Sequence, residues 1–142
     1  MNDTIKLLKE CDAGVQMGVS SINDVLDYVH SESLKSFLAE SKSKHNEVAE
    51  QIKNQLLKYN ADGKAPNPMA KSMSWMKTNV KLSMDESDAT VADLITDGCN
   101  MGVKSLNRYL NQYTNAEEEV KELTKRLIDL EEKLAIDIRR FL

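Results

Sequence analysis

The ten residues Met17-Gly18-Val19-Ser20-Ser21-Ile22-Asn23-Asp24-Val25-Leu26 return 84 positions later as Met101-Gly102-Val103-Lys104-Ser105-Leu106-Asn107-Arg108-Tyr109-Leu110. Six of the ten are identical, and Ile22 becomes Leu106. Gly14 is matched by Gly98 at the same interval. A repeat this close at so long a period means one structural unit used twice.

The periodicity says what that unit is. From about Thr4 to Val29, Ile5, Leu8, Val15, Val19, Ile22, Leu26 and Val29 recur at steps of three and four, which predicts a helix with one buried stripe. Asp3 or Thr4 is placed to cap it. After His30, Ser31 or Ser33 can cap a second helix, whose stripe is Leu34, Leu38, Ser41, His45, Val48, Ile52, Leu56 and Tyr59. So short a connection makes the two antiparallel. Asn60 to Pro68 is the one strong loop signal, with Gly63 offering positive φ and Pro66 and Pro68 removing amides. Met69, Met73, Met76, Val80 and Met84, with Trp75 beside them, predict a shorter helix from about Met69 to Ser83.

Asp85 to Asp88 supplies acidic groups for the next N-terminus. A third long helix then carries Val91, Leu94, Ile95, Cys99, Val103, Leu106, Leu110 and Tyr113. It breaks at Thr114-Asn115-Ala116. A fourth follows with Val120, Leu123, Leu127, Leu130, Leu134, Ile138 and Phe141, and Ile136 falls opposite its stripe. Glu117 to Glu119 open it and Arg139 and Arg140 close it, both favourable to the helix dipole.

The lengths choose a topology. Residues 1–142 form one domain: a hairpin over 4–59, a crossover over 60–84 and a second hairpin over 85–142. An up-down-up-down bundle needs only a few residues between hairpins. A crossover of this size is required when the second and third helices run the same way along a bundle about 40 Å long. The expected fold is therefore all-α: a ferritin-like four-helix bundle of two repeated antiparallel helical hairpins, joined by a long crossover that contains a short helix. Gly14 and Gly18, with Gly98 and Gly102, then predict close backbone packing between the first and third helices, with a self-association surface as the alternative. Each helical Gly gives up roughly 1 kcal/mol against Ala.

Charge and cysteine content narrow the function. The net charge is −4 and the basic residues are scattered, which argues against nucleic acid. No apolar run approaches the roughly 20 residues of a membrane span. Met1 to Thr4 leads straight into the amphipathic pattern without a leader-like segment, and Cys11 and Cys99 lack a CxxC partner. A cytoplasmic protein with two small buried thiols is expected.

With this architecture, the segment Asp97 to Leu106, the run Leu130-Glu131-Glu132-Lys133-Leu134 and the Leu34–Ile52 pattern resemble a bacterial ferritin-like family of unknown function, with clostridial-type members. The resemblance covers essentially the whole chain and implies the two-hairpin fold and a cytosolic bacterial protein. It rests on packing residues, so it implies no activity.

Di-iron members of the wider superfamily carry a Glu on each of two helices and a Glu-x-x-His on each of the others. Carboxylates bridge two hard cations there and imidazoles complete the shells. This chain departs from that pattern. His30 lies at a helix end, and the residue three before His45 is Lys42. The interior is expected to hold Asp12, Ser41, His45 and Glu131, and a contact from His45 to Glu131 or Asp12 satisfies the ring and raises its pKa. Metal ligands, catalytic residues and a bound cofactor are thus not expected. His45, Asp12 and Glu131 are the only candidates for a degenerate site that takes iron or another divalent metal. The Met69–Met84 stripe is expected to pack on the bundle or to offer a partner surface. The expected function is a non-catalytic structural or protein-interaction module, through self-association or a protein partner. The alternative is a divergent ferritin-like metal-binding protein or oxidase centred on His45.

Overall fold

The computed structural model describes residues 2–66, 82 and 85–142. Among the described residues there are four α-helices and no strands: α1 (Asn2–Leu26), α2 (Glu32–Lys58), α3 (Asp88–Gln112) and α4 (Glu118–Asp137). A 3-10 turn, Ile138–Phe141, follows α4 directly. The expected helix from Met69 to Ser83 lies outside the described residues, Leu82 excepted. Leu82 is buried in the same apolar cluster as Val91 and Leu34.

The apolar stripes form most of the core, but on α1 Ile5, Val19 and Leu26 are only half-buried while Leu7, Cys11 and Val25, outside the expected stripe, are buried. On α2 the buried residues are Leu34, Leu38, Ser41, His45, Val48, Ile52 and Leu56, with Tyr59 only half-buried at the C-cap. Helices α2 and α3 begin on serine, whereas α4 begins on Glu117 without a side-chain cap. Ser31 Oγ accepts from Leu34 N, and Ser87 Oγ accepts from Thr90 N. Helix α1 ends three residues earlier than its stripe suggested. Tyr28 N and Val29 N bond to Val25 O and Leu26 O, so the last turn tightens before the chain reverses. The left-handed residue that follows the C-cap of α2 is Asn60, not a glycine. Asn60 takes φ 53°, and Ala61 N reaches Leu56 O while Asn60 N reaches Leu57 O. These two hydrogen bonds satisfy orphan carbonyls of the last turn, and Asn tolerates the left-handed position. Gly63, the residue expected to supply positive φ, does not.

Contacts between helix ends give the helix directions. Asp3 Oδ2 accepts from Asn115 N at 3.0 Å, and Thr4 Oγ1 accepts from Glu117 N at 2.9 Å, so the start of α1 lies beside the end of α3. Asp88 accepts from His30 N at 2.8 Å and Ser31 N at 3.0 Å, so the start of α3 lies beside the end of α1. These helices are antiparallel. Gln55 Nε2 to Glu119 Oε1 and the Phe37–Phe141 ring pair make α2 and α4 antiparallel as well. It follows that α2 and α3 run the same way. Asp3 and Thr4, expected to cap their own helix, instead brace the turn before α4. Asp88 does the same for the turn before α2.

One diagonal of the bundle is closed. Helix α1 runs parallel to α4 and touches it through Thr4 to Glu117, Cys11 to Thr124 and Gly18 to Glu131, each seven residues beyond the last on both helices. Thr, Cys and Gly are small, which lets α1 approach across the core. A seven-residue repeat is what keeps one face toward a neighbour.

Candidate functional site

The apolar core is divided in two. One cluster gathers Val15, Val48, Ile52, Leu106, Leu127 and Ile128; the other gathers Ile22, Leu38, Cys99, Leu134, Ala135 and Ile138. Between them, all four helices bring polar or small residues to one level: Gly18 from α1, Ser41 and His45 from α2, Gly102 from α3 and Glu131 from α4.

His45 is completely buried and Glu131 is 8% exposed. The Ser41 carbonyl lies 2.7 Å from His45 Nδ1. That oxygen only accepts, so Nδ1 carries a proton and donates it. His45 Nε2 meets Glu131 Oε1 in a short contact on the other side of the ring. With Nδ1 donating, the second contact needs one further proton between imidazole and carboxyl. An imidazolium facing a carboxylate satisfies both ring nitrogens. Burial pulls the His45 pKa down, but the hydrogen bond and charge of Glu131, helped by the Ser41 carbonyl, outweigh it and hold the pKa above the ordinary imidazole value.

Glycine makes room for this pair. A Cβ on Gly18 would lie 2.9 Å from His45 Cδ2 and 3.1 Å from Nε2. A Cβ on Gly102 would meet Glu131 Oε2 at an ordinary 3.7 Å. The close approach is thus of side chains into Gly18, and not of the α1 and α3 backbones as the glycine spacing had suggested. Gly98 has nothing within 4 Å, and Gly14 meets only Leu106 and Leu127 at 3.8 and 4.0 Å.

The thiol of Cys99 also reaches this level. Burial raises its pKa far above the ordinary thiol range, and the adjacent Glu131 carboxylate raises it further. Cys11, 3.1 Å from Thr124 Oγ1, is pushed up to about 12, chiefly by burial. Both cysteines are free. Neutral buried thiols of this kind are poor nucleophiles.

Asp12 does not join the set. Its Oδ2 accepts from Lys64 N at 2.8 Å, so its carboxylate ties the start of the crossover to α1 and points away from His45. Of the expected interior group, the structure brings together Ser41, His45 and Glu131 and leaves Asp12 outside. The reason is the unpaired amide that the loop after α2 presents at the edge of α1. Sequence reasoning missed Cys99 and Gly18 as neighbours of the pair. The register of the repeat, which sets Gly18 and Gly102 one turn from each apolar layer, was the available signal.

The di-iron chemistry of ferritin-like bundles is tested by the donors present. This level offers one imidazole, one carboxylate and one neutral thiol, and the first two are already bound to each other. Among the described residues no group of three or more His, Cys, Asp or Glu side chains is arranged to hold a metal ion. The residues present do not fit a dinuclear centre. A groove between α2 and α4, lined by Phe37, Glu40, Lys44, Lys133, Asp137 and Arg140, alternates cations and anions along its rim without a convergent polar set. No helix among the described residues is long and apolar enough to cross a membrane. No protein-family model matches the chain, and no curated protein or solved structure is significantly similar to it.

Proposed function

We propose that this chain is a ferritin-like helical bundle whose centre has been given over to packing, and that it works as a non-catalytic structural or protein-interaction module. The observation that carries this reading is the closed state of His45, whose ring nitrogens are engaged by Ser41 and Glu131. A ring so engaged has no lone pair for a metal ion unless Glu131 is displaced.

The ferritin-like assignment is supported by the parallel run of α2 and α3 across a long connection. The 84-residue repeat agrees with it. So does the reciprocal bracing, in which Thr4 supports the turn before α4 and Asp88 the turn before α2. On this reading the chain belongs with the bacterial ferritin-like family it resembles and works in the cytoplasm, where its free cysteines stay reduced. Exposed Leu57, Met101, Ile136 and Leu142 support action through contact with a second copy or another protein.

The test is metal content by elemental mass spectrometry, before and after anaerobic Fe(II) loading and washing, beside light scattering for self-association. The expected result is no retained metal. Retention of a metal in the wild type, lost in His45→Ala, would replace this reading with a divergent ferritin-like metal-binding protein or oxidase built on His45 and Glu131.

A further inference from the structure

Heptad spacing leaves this bundle open to a particular error. On α2, Leu38 and Ile52 lie one heptad to either side of His45, and both are fully buried. Thr124 on α4 and Ile138 at the start of the 3-10 turn that continues it flank Glu131 in the same way and are fully buried too. On α1, Cys11 and Val25 flank Gly18, at 1% and 2% exposure. If the α3–α4 hairpin slid by one heptad against the α1–α2 hairpin, apolar layers would still meet apolar layers almost everywhere. Within the core only the middle level would fail, while at the ends the Thr4–Glu117 and Asp88–Ser31 contacts would part as well. Glu131 would face Leu38 or Ile52, and His45 would face Ile138 or Thr124. A charged carboxylate would then lie in an apolar layer with its partner a full heptad away.

We infer that the His45–Glu131 layer is a register lock: it selects the single alignment in which the two hairpins dock, and the rest of the core supplies the stability. The geometry is built for selection. His45 enters the gap that Gly18 leaves, and no other residue in the Thr4-Cys11-Gly18-Val25 series lacks a side chain. Glu131 stands between that gap and Gly102, with the Cys99 thiol beside it. Each helix contributes the one residue type that accepts this pair, and at a single level. A polar layer in an otherwise apolar heptad seam is a known means of fixing alignment at some loss of stability.

The test is the His45→Leu/Glu131→Met double variant, in the full chain, with spin labels at Ser36→Cys on α2 and Glu122→Cys on α4. These exposed positions lie toward opposite ends of the bundle. Cys11 and Cys99, at 1% and 2% exposure, stay unlabelled in the folded protein. The otherwise unaltered protein should give one inter-label distance. The double variant should melt at the same temperature or higher and give a second population, displaced by about 10 Å, the rise of seven helical residues. A single distance in the double variant overturns the lock. An unfolded double variant overturns it as well, since the pair would then be a source of stability. The His45→Gln/Glu131→Gln variant, which keeps a hydrogen bond across the layer, should retain one distance, and a second population there would also refute the proposal.

Discussion

His45 and Glu131, 86 positions apart on α2 and α4, hold one proton between Nε2 and Oε1 at the centre of the core. The contact joins the two hairpins where the apolar core is interrupted, and its protonation links stability to pH. The folded His45 pKa is raised above 6.5. The pair therefore contributes fully below pH about 6.5, where the imidazole is charged in both folded and unfolded chains. That contribution falls as pH rises through the folded pKa. Denaturant midpoints measured from pH 6 to pH 10 should decline over that window.

Removing one partner should do more harm than removing both. Glu131→Gln leaves the His45 ring without a counter-charge and should destabilise the fold by about 3 kcal/mol at pH 6. The alkaline decline should shrink in the same variant. Urea denaturation of both proteins at pH 6 and pH 9 measures the two effects together.

The repeat glycines should respond in opposite directions. Gly98→Ala adds a Cβ into open space on a helix and should stabilise by about 0.5–1 kcal/mol. Gly18→Ala places a Cβ 2.9 Å from the rigid His45 ring and should destabilise by about 1–3 kcal/mol despite the better helix propensity. Thermal melts of the two single variants, side by side, are sufficient.

Asp88 should act on a turn that is distant in sequence. Its carboxylate accepts the His30 and Ser31 amides, so Asp88→Ala should destabilise the protein by about 1 kcal/mol. It should also speed hydrogen exchange at those two amides. Exchange at Glu117, whose amide bonds to Thr4, should be unaffected beyond the global loss.

Both thiols should be silent until the chain unfolds. Cys11 and Cys99 are 1% and 2% exposed, with pKa values raised by burial. A disulfide reagent at pH 8 should modify neither within minutes, and both once denaturant exceeds the transition midpoint. Fast modification of either would mean that its half of the core opens locally.

Helix existence and direction were legible because they depend on short-range regularities. The stripe from Leu34 to Leu56 is buried as its spacing required, and Ser31 caps α2 as a serine before an apolar run should. The distance from Asn60 to Asp85 was enough to run α2 and α3 the same way. Errors arose where one side chain chose between a local and a distant partner. Thr4 and Asp3 look like caps for α1, yet they serve the amides of Glu117 and Asn115. Asp12 has the helical phase of an inward residue, yet the Lys64 amide takes its carboxylate. Gly63 was the residue expected to turn left-handed, and Asn60 does so because the last turn of α2 leaves its carbonyls unpaired there.

What the sequence determined by itself was therefore the four long helices, most of their buried faces and the length of chain between the hairpins, since periodicity and chain reach act over a few residues at a time. What only the tertiary structure decided was which polar groups meet: His45 with Glu131, Cys99 beside them, Asp12 with the crossover and Gly18 as the gap that admits the ring. Those choices depend on rotation and height between helices far apart in the chain. A shift of one residue turns a helix by about 100° and moves a side chain to another neighbour.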